Sequence, residues 1–573
     1  MTEAEQPKSN FGYLLIIFLV ALALRLIYLA EARRSPLLFF PGLDPQAYDA
    51  WAQRIAAGDW LGEKGFYQSP LYPYLLGAFY ALFGRHLLLV YILQIFIGSL
   101  DCLVIYGIGN RVFGKRAGLL AGIFAAVYKP FIFYDSLLLK TFLEVFLIDL
   151  SLYLLLAASR SGKRTAGFLS GLALGLGSLA RDNFIILILW FFPWLFSKLR
   201  KQGRASVSLY LLLGFCGIIG ISAARNLILQ RDFILTTSQA GQNFYIGNHR
   251  KNSTGAYFAP DFVKANPLFE EADFYREALK RTGKMYMKPS EVSNFWFKEA
   301  FKEIRADKKL FWERMALKFA LFWNRKEIAD NVSIYLFKKE FSVLLRMPLL
   351  DFGVAAPFGL LGMILALRKR KGILLAGYIL IYWAAVSVFY IFARYRLAAV
   401  GPVLVFAGFA VENIYSRLKE RNWKPLLAYL ALLALFSTLV WWPFLKETLD
   451  IAYFNLGNSY SRAGKPRQAI VAYEKAIKEN PSWPEFWTNL GKASELTGEN
   501  GKAADAYLQA VRLEPDEAAA HLNLGIALYK IRYYQDAKAE LQKALELNPN
   551  LKEVKKYLEM IEPKLRQTRG GAK

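Results

Sequence analysis

Blocks of about 20 consecutive apolar residues recur along this chain, and each is long enough to cross a bilayer as a helix. The 573 residues are 55% hydrophobic, with a mean hydropathy of +0.24. We count roughly eleven spans of ~17–25 residues. They lie near 11–30, 86–107, 117–133, 137–158, 166–181, 183–197, 206–226, 352–367, 372–392, 396–414 and 425–444. The sixth is short enough to be re-entrant. Abundant Phe (44), Tyr (32) and Trp (13) suit aromatic belts at the two membrane surfaces. Cys102 and Cys216 both fall inside apolar blocks, so no disulfide framework follows.

A formal charge of +26 raises the question of nucleic acid, and its distribution excludes that class. Lys and Arg collect in short turns: Arg111, Lys115 and Arg116; Arg160, Lys163 and Arg164; Lys198, Arg200, Lys201 and Arg204; Arg368 to Lys371; and Arg417, Lys419, Arg421 and Lys424. Each group follows an even-numbered span, which assigns those turns to the cytoplasm. The polar start, Met1 to Asn10, is then inside, and the first apolar block reads as a retained anchor rather than a cleaved signal. Outside lie the loop 31–85, a long segment at 227–351 and the tail. The expected location is the inner or plasma membrane, multi-pass. The fold class is all-α: a polytopic membrane helix bundle followed by a soluble helical repeat. The expected parts are a membrane module (1–226), an outer segment (227–351), further membrane helices (352–446) and the tail (447–573).

After Lys446 the composition becomes balanced and charged. Pro481, Pro515 and Pro549 recur every 34 residues, the period of tetratricopeptide repeats. Leu456-Gly457, Leu490-Gly491 and Leu524-Gly525 keep the same register, as do Ala469, Ala503 and Ala537. Lys552 to Leu565 reads as a polar capping helix. Such an array offers a concave surface for a protein partner or protein substrate; its plainer use is to stiffen or solubilise.

Several charges oppose the topological bias. Arg394 and Arg396 occupy a short outer turn, Arg181 and Asp182 another, and Lys129, Asp135 and Lys140 a third. Charge at membrane depth is costly and usually has a partner or a function. Local pairing or snorkelling would satisfy each one singly; a phosphate held at the outer leaflet would give them a shared purpose.

The first outer loop reads FPGLDPQAYDAWAQRIAAGDWLGEKGFYQSPLYPYLLGAFYALFG from Phe40. Asp44 as N-cap, Pro45 at the first helical position and Gly58 beyond the end specify a helix over 45–57. Capping alone would explain Asp44; a carboxylate aimed into a cleft from a rigid helix start is the functional alternative.

Asp44-x-x-x-Tyr48, Trp51-Ala52, Gly58-Asp59-Trp60 and the Pro70-Leu71-Tyr72-Pro73 re-entry resemble the first outer loop of GT-C glycosyltransferases. The resemblance is to the bacterial branch similar to polyprenyl-phosphate-sugar mannosyltransferases. Two further stretches are similar to signatures of that branch: Thr237 to Pro260, which contains QNFYIGN, and the turn Arg394-Tyr395-Arg396. Many members have Asp-Glu where this chain has Asp44-Pro45, which weakens a two-carboxylate or metal-binding form of the motif.

The resemblance implies transfer of a sugar from a polyprenyl phosphate to an acceptor hydroxyl, usually with inversion, at the outer face. It implies Asp44 as general base. Arg394, Arg396 and Lys140 would hold the leaving phosphate, and Asp135 would meet sugar hydroxyls. The remaining expected substrate contacts are Tyr48, Arg181, Asn243, Tyr245 and Asn248, with Gln242 and His249 beside them. In that outer stretch a turn held by Gly241, Gly247 and Gly255 is the alternative. Tyr67, Tyr72 and Tyr74 read as interfacial anchors or stacking groups. Expected partners are the lipid-linked donor, membrane lipids and a protein acceptor; a divalent cation such as magnesium or manganese is left open. With three histidines in the chain, His-rich metal chemistry is not expected. Two rivals stand beside this reading: transfer to a lipid or cell-wall glycan, and a non-enzymatic scaffold that docks proteins through its repeats.

Overall fold

Lipid offers no partner to the backbone, so apolar segments satisfy their amides internally as helices. The computed structural model bears this out: the described residues (11–200, 203–264 and 266–570) form helices and no extended strand. Met1 to Asn10 and Lys201, to which the topology above assigns a side, lie outside the described residues. The chain divides into a membrane unit (1–32, 43–330 and 337–446) and a repeat unit (33–42, 331–336 and 447–573).

The membrane unit begins with α1 (Phe11–Ala32), α2 (Leu43–Ala56), α3 (Leu71–Phe83), α4 (Leu87–Phe113), α5 (Lys115–Ala126) and α6 (Lys129–Tyr134). It continues with α7 (Thr141–Ser161), α8 (Arg164–Ala180), α9 (Ile188–Lys198) and α10 (Arg204–Gln230). A further helical group follows: α11 (Ala240–Asn248), α12 (Pro267–Thr282), α13 (Pro289–Ala306) and α14 (Lys308–Trp323); α15 (Ile334–Glu340) starts within the repeat unit's residues 331–336 and ends in the membrane unit. The last bundle helices are α16 (Phe352–Arg368), α17 (Ile373–Ser387), α18 (Ala393–Lys419) and α19 (Trp423–Trp441).

Six of these (α1, α4, α7, α10, α18 and α19) are long and apolar enough to cross a membrane; α3, α16 and α17 are shorter apolar helices. The segments expected at 117–133 and 183–197 are not single continuous spans. The first breaks between α5 and α6, where Lys129 N–H turns aside to the Leu350 carbonyl at 2.9 Å. The second opens as a 3₁₀ turn, Asp182–Leu187, before α9, which contains Pro193.

Small residues let backbones approach inside the bundle. A Cβ added to Gly171 of α8 would sit 2.0 Å from the Leu211 carbonyl oxygen of α10, and one on Gly214 would sit 2.3 Å from the Phe168 carbonyl oxygen. At one end of the bundle the basic turns gather. Arg160 donates to the Arg111 carbonyl, Lys369 Nζ donates to Asn413 Oδ1 at 3.0 Å, and Phe113 stacks on Phe409 at 4.1 Å.

The helices after α10 have their own core around Trp296, which is fully buried. Phe295 to Trp323 has helical spacing; the structure has two helices there, parted at Asp307, whose Oδ1 accepts the Leu310 N–H at 2.9 Å and starts α14.

In the repeat unit, α20 (Asp450–Arg462), α21 (Pro466–Glu479), α22 (Pro484–Leu496), α23 (Asn500–Leu513), α24 (Ala518–Lys530) and α25 (Tyr534–Leu547) form three helical hairpins, followed by α26 (Lys552–Gly570). The periodic glycines are contact points. A Cβ on Gly457 or Gly491 would meet the ring of Tyr473 or Tyr507, and one on Gly525 would meet Leu541. Val554, Ile561 and Leu565 of α26 close the array with a buried face. Within this unit Phe40 offers its carbonyl to Ser459 Oγ at 2.7 Å and to Arg462.

Candidate active site

Turns far apart in sequence meet at the bundle end opposite the basic loops, since Arg394 starts α18 and Lys140 precedes α7, whose other ends carry Asn413 and Arg160. Leu43 takes a left-handed φ of 55° and turns the chain into α2, with Asp44 in its first turn. Arg394 Nη2 donates to Asp44 Oδ2 at 2.7 Å, and its Nε lies 2.5 Å from Asp330 Oδ2. One buried guanidinium thus joins two carboxylates from different loops, a geometry that arginine's fork allows and a lysine's point charge does not.

The Tyr395 ring links this group to a second one. Arg394 lies 5.3 Å from its centroid and Arg181 4.3 Å, within the range of cation–π attraction. Arg181 caps the C-terminal end of α8 and lies 2.7 Å from Glu144 Oε2 through Nη2, while its Nε donates to the same oxygen at 2.8 Å. Lys140 Nζ sits 3.6 Å from Glu144 Oε1 and donates to Ser69 Oγ at 3.0 Å and to the Ala180 carbonyl at 2.7 Å. The row runs Asp330, Arg394, Asp44, then across Tyr395 to Arg181, Glu144 and Lys140. Within it, Arg181 and Lys140 share the single carboxylate of Glu144.

Tyr48, one turn beyond Asp44, is buried and packs edge-to-face on Tyr72 at 5.6 Å. Burial first, and the charge of Asp44 second, push its phenol well above the ordinary range. It stays protonated and can donate.

Other sequence candidates are engaged elsewhere. Arg396 lies 2.7 Å from Glu327, donates to the Asn324 and Lys326 carbonyls, and stacks over Phe352 at 3.9 Å. It is fully buried and ties α18 to the loop after α14. Asp135 accepts from Arg25 Nε at 2.7 Å, again in a buried pair. Its carboxylate holds α1 rather than a sugar.

The stretch containing Asn243, Tyr245 and Asn248 is helix α11 instead of a turn. Gly241 and Gly247 serve close packing there: an added Cβ would lie 1.9 Å from the Ser293 carbonyl oxygen and 2.1 Å from that of Phe389. Tyr245 donates to Glu303 at 2.9 Å inside the Trp296 core. Asn248 accepts from Lys318 Nζ at 2.9 Å and donates to the Phe244 and Val388 carbonyls. Asn243 accepts from Tyr390 at 3.1 Å.

Glu144, Asp330 and Tyr395 were not singled out by sequence. Glu144 did carry a signal, as an acid inside an apolar block; Asp330 lies in an irregular loop with no periodicity to mark it. No three His, Cys, Asp or Glu side chains among the described residues are grouped as metal ligands, so no step is assigned to a divalent ion.

Residues 67–224 match the family described as dolichyl-phosphate-mannose-protein mannosyltransferase. Residues 451–482 and 518–551 match tetratricopeptide repeat families, and 496–531 match another described as TPR repeat. One segment is thus similar to a mannosyltransferase family and the C-terminal part to tetratricopeptide repeats, which agrees with the resemblance drawn from the motifs.

Among individual proteins it is similar to protein O-mannosyl-transferase TMTC3 of Mus musculus, 32% identical over 91 residues, covering 16% of this chain and 10% of that one. It is similar to protein O-mannosyl-transferase TMTC1 of Homo sapiens, 32% identical over 124 residues, covering 20% and 14%. It is also similar to small glutamine-rich tetratricopeptide repeat-containing protein 2 of Mycosarcoma maydis, 35% identical over 102 residues, covering 18% and 29%. The chain thus spans well under half the length of these curated relatives. Among solved structures, the first TPR of Spaghetti (RPAP3) bound to an HSP90 peptide is 27% identical, with a TM-score of 0.20, covering 20% of this chain and 93% of that one.

Proposed function

We propose that this protein is an integral-membrane glycosyltransferase that moves a sugar from a polyprenyl-phosphate donor to an acceptor hydroxyl on protein, at the outer face of the membrane. The observation that carries the reading is the meeting of Asp44, Lys140, Arg181 and Arg394 in one row. Each comes from a loop or turn that charge patterning alone assigns to the same side. The matched family and the two O-mannosyl-transferases named above support mannose and a protein hydroxyl as the substrates to try first.

The two halves of the row suit the two ends of the reaction. Arg181 and Lys140 share one carboxylate, so a donor phosphate can take their excess charge. Cations preorganised at a leaving phosphate stabilise the charge that develops there. At the other end Asp44 offers a carboxylate to the acceptor hydroxyl, and Tyr48 offers a donor. In the transfer the acceptor oxygen bonds to the sugar C1 as the C1–oxygen bond to phosphate breaks. Inversion follows if attack and departure occur on opposite faces.

The test is transfer in proteoliposomes from polyprenyl-phosphate mannose to serine- and threonine-containing peptides, read as a hexose mass gain. The expected result is transfer by the wild type and its loss in Asp44→Asn and Arg394→Ala. A hexose found only on lipid or glycan fractions would move the acceptor away from protein. No transfer from any polyprenyl-phosphate sugar would remove the enzyme reading and leave the scaffold.

A further inference from the structure

One buried carboxyl beside this row has no part in the reaction as drawn. Glu270, in the first turn of α12, is 9% exposed. Two tyrosine hydroxyls from separate segments converge on it: Tyr67 donates to Oε1 at 3.2 Å and Tyr257 to Oε2 at 3.0 Å. Helix α12 packs against α2, the helix that carries Asp44. Among the described residues no cation pairs with Glu270; the adjacent Glu271 takes Lys64 at 2.5 Å. A carboxyl aimed by two phenols and left without a counter-ion is arranged to exchange a proton.

Resting on the function proposed above, we propose that Glu270 is the proton acceptor of the site, with Asp44 positioning the acceptor hydroxyl. As the hydroxyl oxygen bonds to the sugar C1, its proton passes to the Glu270 carboxylate. The C1–oxygen bond to phosphate breaks, and its electron pair leaves on the phosphate oxygen. The proton is then lost to water.

The electrostatics agree. Burial above all, and the charges of Asp44 and Asp330 with it, push the Glu270 carboxyl up to about 7, against the pull of its hydrogen bonds from Tyr257 and Tyr67. A proton acceptor works best with a pKa near the working pH. The phenols of Tyr67 and Tyr257 are both pushed well up, by burial first and by the charge of Glu270 next. They therefore remain donors and do not compete for the proton.

A base acts when ionised, so transfer should rise with pH through about 7 and level off above it. In Glu270→Gln that limb should vanish and the rate at pH 8 should fall at least about tenfold, general bases being worth ~10²–10⁴-fold. Glu270→Asp should keep a limb. Tyr257→Phe, which removes a bond to the ionised form, should move the midpoint upward, and this variant decides the matter if Glu270→Gln fails to fold.

An infrared pH titration of the protein in nanodiscs reads the carboxyl without any substrate. A carboxyl band should disappear near neutral pH in the wild type and be absent from Glu270→Gln. Identical titrations in the two proteins, or full transfer by Glu270→Gln with the wild-type pH profile, overturn the proton role alone. A wild type that transfers nothing from polyprenyl-phosphate mannose overturns the reaction itself, and this role with it.

Discussion

At the residue scale the site depends on one arginine shared by two aspartates. Asp44→Asn keeps the size of the side chain and removes its charge. We expect transfer to fall by about 10²-fold, the cost of a mispositioned hydroxyl, with the elution profile in detergent unchanged. A wild-type rate would remove Asp44 from the chemistry. Arg394→Lys should not rescue, because a single ammonium cannot reach Asp44 and Asp330 from two separate nitrogens as the guanidinium does. Arg394 stood out in the sequence because a charge next to an apolar block is rare and asks for a reason, and Asp44 because it opens a helix in the loop that carries the resemblance. Glu270 and Asp330 were not. In a polar segment acids are common, and Glu270 in a helix's first turn looks like any residue that favours the helix dipole. Arg396 misled for a related reason: which way each arginine of the Arg394-Tyr395-Arg396 turn points is settled by Glu327 and the backbone carbonyls after α14.

At the scale of elements, helix contacts rest on glycines whose roles differ within one helix. Gly214 of α10 faces α8 at a distance no side chain fits, while Gly217, three residues on, has nothing within 4 Å of an added Cβ. Gly214→Ala should lower the thermal unfolding midpoint in detergent by several degrees, and Gly217→Ala should hold or raise it, since an alanine favours a helix interior by roughly 0.5–1 kcal/mol over glycine. Equal effects would mean that α8 and α10 do not touch there. The same ambiguity hid α11. Gly241 and Gly247 read as turn formers, whereas their use is close approach to Ser293 and Phe389. A sequence reports a missing Cβ without saying whether the backbone angle or a neighbour requires it. The apolar blocks were plainer, because nothing else accounts for twenty greasy residues in a row; of their breaks, the one at Val127–Tyr128 sits just before Pro130, while at Asp182–Leu187 Asp182 is held by a tertiary hydrogen bond from Thr237.

At the scale of the whole molecule, two units with separate cores invite separation of their tasks. A chain ended after Lys446 should still fractionate with membranes and transfer sugar to short peptides, while losing its preference among intact protein acceptors. If truncation leaves that preference unchanged, the repeats do not choose the acceptor. Repacking inside the bundle is less forgiving. Arg25→Leu strands Asp135 and should cost about 3–5 kcal/mol, much of which Arg25→Leu with Asp135→Leu should restore, as read by resistance to heat inactivation. That pair also governs the order of events at the ribosome. Arg25 is made 110 residues before Asp135, so the first helix enters the membrane with a guanidinium that has no counter-ion. Until the fourth hydrophobic segment has begun to emerge, it must be sheltered by the insertion machinery or sit shallow near the headgroups. Nascent chains stalled before that point should therefore be poor at holding their first helix in lipid, however greasy its sequence.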